Sequence, residues 1–142
     1  MKRGTFALVG LIAALVLPVG ATGATSESDT TAQAQRGTQD LRIRFRLKSE
    51  DGEPTELRRF RFAHLLANCD ELVQVYVEGR IGRLPVNRRN HFSETAREPG
   101  KKVQVKGRVS NDLKRVVGRI RAEGDFSGGR NCDSGWVRWR AR

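Results

Sequence analysis

Histidine, cysteine and tyrosine are scarce here: two His, two Cys and one Tyr among 142 residues. His64 and His91 are too few and too far apart for a two-histidine metal site. Cys69 and Cys132 form no Cys-x-x-Cys pair, which removes the common redox and zinc arrangements. A nucleophile elbow is missing, because in Gly124-Asp125-Phe126-Ser127-Gly128 the serine comes one position late. Acidic residues are also in deficit, 16 against 27 Lys+Arg, for a formal charge of +11. A chain of this length is one ordinary domain, which excludes enzyme architectures built from two domains. No cofactor is expected.

What the chain does have begins with an address. Residues 1–24 read as a secretory signal peptide, with Lys2 and Arg3 before the apolar run Phe6 to Val19. Fourteen residues holding a Gly and a Pro fall short of the ~20 that span a bilayer, so no stable transmembrane segment is expected after cleavage. Cleavage after Ala21, Ala24 or Ala34 satisfies the small-residue rule. The protein is therefore expected to be secreted. Residues 25–40 contain no aromatic, Val, Leu or Ile, and read as a flexible polar linker to a domain at 41–142.

That domain opens with Leu41, Ile43, Phe45 and Leu47 alternating with Arg42, Arg44 and Arg46. A period of two is a strand with one buried face. Comparable runs occupy Glu71 to Val77, Val103 to Val109, Val116 to Ala122 and Trp136 to Arg142, with shorter ones at Leu84 to Val86 and His91 to Ser93. In Leu57 to Ala67, Phe60 and Phe62 fit a strand, while Leu57, Phe60 and Leu65 also fit a short helix. The expected fold is all-β: a small sandwich or barrel of seven or eight short antiparallel strands.

Cys69 and Cys132 are an even count in an exported chain and predict one disulfide. The segments FRFAHLLANC, HFS, VQVKG, GRIRA and CDSGWVRWRA, in that order, resemble a loose group of small secreted actinobacterial proteins. Their shared pattern covers essentially 41–142. The resemblance implies a compact disulfide-linked β domain and brings no activity with it.

Asp133-Ser134-Gly135 resembles the nucleophile segment of chymotrypsin-like serine proteases, but Cys132 and Trp136 stand where that segment has glycines. The domain is also too small for the two barrels that flank such a triad. A turn into the last strand is the simpler reading, and an extracellular hydrolase is the remote one. The arginines remain. Arg42, Arg44 and Arg46 share one strand face, and Arg138, Arg140 and Arg142 another. Were those strands neighbours, six guanidinium groups would form a ladder for phosphate or carboxylate. The alternative is two solvated faces in an arginine-biased sequence, with 21 Arg against 6 Lys. Trp136 shares the arginine parity; it either stacks on a sugar or base or covers the bridge or an arginine stem. The expectation is a non-enzymatic domain of the cell envelope or medium, or a binding module for anionic polymers: wall polymer, polysaccharide or nucleic acid.

Overall fold

A computed structural model describes residues 23–34 and 40–142. Residues 1–22 and 35–39 lie outside the description, and with them all but the last two residues of the expected signal peptide. Nine strands make up nearly all of the described chain: β1 (Thr25–Ala34), β2 (Arg42–Glu50), β3 (Glu53–Asn68), β4 (Gln74–Pro85), β5 (His91–Glu98), β6 (Lys101–Val109), β7 (Val116–Phe126), β8 (Gly129–Asp133) and β9 (Val137–Ala141). Every pairing is antiparallel, in the order β4-β3-β2-β1-β9-β7-β6-β5. Strand β8 pairs with both β3 and β7, so the path β3-β2-β1-β9-β7-β8 closes on itself. The result is one curled antiparallel sheet. No helix among the described residues is long and apolar enough to cross a membrane.

Curling the sheet turns the apolar parity of each strand inward. Leu41, Ile43, Phe45 and Leu47 are all at most 4% exposed, as the alternation of β2 predicts. Trp139 of β9 sits at the centre, with ring centroids 5.9 Å from Phe45, 5.8 Å from Phe60 and 6.1 Å from Phe92. The inner faces of β2-β3 and β9-β7-β6-β5 thus share one core. A row of residues directly opposite one another, Phe92, Gly107, Gly118 and Trp139, crosses four strands on that inner side. A Cβ on Gly118 would lie 2.5 Å from the Trp139 ring, and one on Gly107 2.6 Å from the Phe92 ring. The two glycines make room for the two aromatics, which stack on each other at 29°.

Two expectations need correction. Within the polar stretch expected to be a flexible linker, Thr25–Ala34 is instead a central strand. Residues 25–33 of β1 pair with β2, and 32–34 with β9, so both of its backbone edges are used. Its order comes from backbone hydrogen bonds and charge pairs to β2 and β3 rather than from apolar burial, which is why hydrophobic pattern does not reveal it. The runs at 71–77 and 84–86 are not two strands, since β4 spans Gln74–Pro85 as one. It starts later than expected because Asp70–Leu72 form a 3-10 turn that leaves Leu72 fully exposed. Pro85 does lie on an edge strand, as expected.

The ambiguous segment is entirely strand, β3. Its buried residues are Leu57, Phe60, Phe62, Leu65 and Ala67, a spacing of three, two, three, two. Positive φ at Arg59 (52°) and His64 (59°), with register shifts against β4 at both places, marks two bulges. Each bulge inserts one residue and so imitates helical spacing.

The Cys69–Cys132 disulfide forms, joining residues 63 apart in sequence. It lies at the end of β3 where β8 pins β3 to β7, with Asn68 opposite Asp133. The bridge therefore fastens the closure of the curl.

Candidate functional site

The strands carrying the two predicted arginine sets are not neighbours. Strand β1 lies between β2 and β9, so the six-guanidinium ladder does not form. The inserted strand brings acids to the outer face. Arg46 donates to Asp29 Oδ1 at 2.7 Å, and Arg58 to Glu27 at 3.2 Å. Arg42 pairs with Asp40 at 3.1 Å, and Arg142 lies beyond the end of β9. Like charges facing across strands are unfavourable, and at β2 the supposed linker supplies the compensating carboxylates.

Arg138 and Arg140 instead join a basic face that the sequence reading misses. The outer parity of β5, β6, β7 and β9 makes two parallel rows. One runs Ser93, Lys106, Arg119, Arg138; the other runs His91, Arg108, Val117, Arg140. Between them lies an open trough of about 820 Å³ whose lining contains no Asp or Glu. Arg108, Arg119, Arg138 and Arg140 are exposed, and Lys106 is half-buried. Among the described residues no carboxylate pairs with Lys106, Arg108, Arg119 or Arg138.

The other end of the same strands is built differently. Lys101 pairs with Glu98, Lys102 with Glu123, and Arg121 with both Glu123 and Asp133. Arg121 grips Asp133 through two hydrogen bonds of 3.0 and 2.6 Å. Those bonds hold the Asp133 carboxyl below the ordinary aspartate range, helped by the Gly135 backbone N–H and opposed by burial. Cations are therefore neutralised on one half of β6-β7 and left uncompensated on the other. Signal for this face exists in the sequence. A hairpin at Ser110-Asn111-Asp112 sets Val109 opposite Val116, which places Lys106 opposite Arg119.

Trp136 is half-buried beneath two of these cations. Lys106 Nζ stands 4.5 Å from its ring centroid and the Arg119 guanidinium 5.4 Å. Such contacts are worth about 0.5–1 kcal/mol each at exposed sites and offset part of the repulsion between Lys106 and Arg119. The ring props up the charged row.

Asp133-Ser134-Gly135 is a turn. The Ser134 hydroxyl donates to Gly135 O at 2.8 Å and accepts from Ala122 N at 2.9 Å, while Gly135 N donates to Asp133 at 2.7 Å. His64 is engaged elsewhere, 3.2 Å from Asp40 and with its ring tilted against Tyr76. Compared with known protein families, curated proteins and solved structures, the chain has no significant match.

Proposed function

We propose that this protein is an exported, non-enzymatic β domain that holds anionic polymers of the cell envelope or its surroundings on the β5-β6-β7-β9 face. One observation carries the reading: Lys106, Arg108, Arg119 and Arg138 share a trough without a carboxylate, while Lys101, Lys102 and Arg121 at the other end of β6 and β7 are paired. Cations set opposite one another on neighbouring strands cost stability unless an anion lies over them. Neighbouring strands are ~4.8 Å apart, so the row offers a cation at each such step to a linear chain of phosphate or carboxylate groups. With its ring occupied by Lys106 and Arg119, Trp136 favours readout of charge over stacking on bases.

Retention on phosphocellulose tests this reading. Binding falls steeply with salt, because neutralising each anionic group releases a counterion. The variant Arg108→Gln/Arg119→Gln/Arg138→Gln elutes at much lower salt than the parent, whereas Arg42→Gln alone changes little because Asp40 already pairs with Arg42. Equal elution of the triple variant and the parent refutes the assignment. Turnover of esterase, phosphatase or protease substrates that is abolished by Ser134→Ala would favour a hydrolase instead.

A further inference from the structure

The opposite side of the molecule carries a second uncompensated basic row. Arg44 of β2, Arg61 of β3 and Arg80 of β4 lie directly opposite one another across three adjacent strands, and all are exposed. The neighbouring row of Arg46, Arg58 and Arg83 is paired: Asp29 takes Arg46, Glu27 and Glu56 take Arg58, and Glu56 takes two hydrogen bonds from Arg83 at 2.8 and 2.6 Å. No salt bridge reaches Arg44, Arg59, Arg61 or Arg80 among the described residues. Arg59, pushed outward by the first β3 bulge, joins Arg58, Arg61, Arg80 and Arg83 around a shallow cleft of about 630 Å³ that also lacks carboxylates in its lining.

The placement of this row is decisive. Strands β2 and β3 meet β9 through their inner faces, as the contacts of Phe45 and Phe60 with Trp139 record. The outer faces therefore point away from each other. Packed sheets stand about 10 Å apart, and the arginine side chains extend beyond each. That separation exceeds a Debye length of ~8 Å at physiological salt, so a polyanion on one face does not neutralise the other. Between the two basic faces, Glu27 and Asp29 of β1 neutralise Arg58 and Arg46, so the uncompensated basic surface is interrupted there.

From this geometry we infer that the protein is bivalent and bridges two anionic polymer chains, one on each face. The inference rests on the polyanion-binding reading and adds that a single copy cross-links. Linking polymers through two faces also gives avidity that neither face has alone.

A sandwich assay separates the two ideas. Long-chain polyphosphate is immobilised, the protein is bound to it and washed, and fluorescent polyphosphate is then offered. The parent captures the labelled chain. Arg44→Gln/Arg61→Gln/Arg80→Gln stays on the surface but captures about tenfold less or lower still. Arg108→Gln/Arg119→Gln/Arg138→Gln also loses capture. Capture by the Arg44 variant equal to that of the parent overturns bivalency, since a self-associated single face would then account for it. A parent that binds the surface but captures nothing overturns bivalency and leaves the proposed function standing. A parent that never binds the surface overturns both. Repeating the assay with polygalacturonate distinguishes carboxylate from phosphate as the preferred group.

Discussion

The ring of Trp139 occupies the space into which a side chain on Gly118 would project, with a Cβ there only 2.5 Å from the ring. Gly118 lies between Gly107 and Trp139 in a row that crosses the sheet, and both glycines serve the aromatic centre of the core. Overpacking at such a site costs about 1–3 kcal/mol. Gly118→Ala should therefore lower the urea midpoint without changing the slope, while Ala96→Gly on the peripheral strand β5 costs less. Urea titration followed by tryptophan fluorescence measures both.

The disulfide closes the curl, and Gly129 packs against it: a Cβ there would collide with Cys69 Sγ and lie 3.0 Å from Cys132 Sγ. Closing a loop of 63 residues stabilises a fold by about 4 kcal/mol in the chain-entropy model. Cys69→Ala/Cys132→Ala should melt well below the parent. Gly129→Ala should lose stability when oxidised and regain much of it relative to the parent once both are reduced. Calorimetry with and without a reductant checks this.

Acid should weaken the fold through Glu56 and Asp133. Burial alone would raise the Glu56 carboxyl pKa, but hydrogen bonds from Arg83 and Arg58 hold it below the ordinary range. Asp133 is lowered chiefly by Arg121. A carboxylate with a depressed folded pKa contributes stability above its unfolded value, near pH 4, and loses it as pH falls through the folded value. Glu56→Gln should thus be less stable than the parent at pH 7, by about 1 kcal/mol given its exposed partners. That difference should shrink below about pH 4. Denaturation at pH 7 and pH 3 tests the sign.

The place of β1 bears on export. Cleavage after Ala34 would remove Thr25–Ala34, a strand with neighbours on both sides, whereas cleavage after Ala21 or Ala24 retains it. Mass spectrometry of the exported protein should find an N-terminus at Thr22 or Thr25. Deleting 25–34 should abolish the cooperative unfolding transition.

Much of the fold is legible where burial alone sets the pattern. The β2 alternation, the runs that become β6 and β7, and the cysteine pair are read correctly because each follows from one local rule. Two features escape for physical reasons. Strand β1 is held by backbone bonds and by Asp29 and Glu27, so it leaves no apolar trace. Strand β3 is disguised by bulges at Arg59 and His64, which turn a period of two into a mixed spacing. The basic site is a question of neighbours. Arg138 and Arg140 are visible as an outer face, but the companions of Arg138 prove to be Lys106 and Arg119 rather than Arg42, Arg44 or Arg46, because β1 enters the sheet between β2 and β9.

The central claim is that the carboxylate-free trough on β5-β6-β7-β9 binds polyanions. Its most direct measurement is the salt dependence of binding to phosphate-bearing polymer for the parent and for Arg108→Gln/Arg119→Gln/Arg138→Gln, with circular dichroism confirming that both fold. A steep slope of log affinity against log salt in the parent, made shallower by the triple change, is the predicted result. Identical slopes and affinities in the two proteins would contradict it.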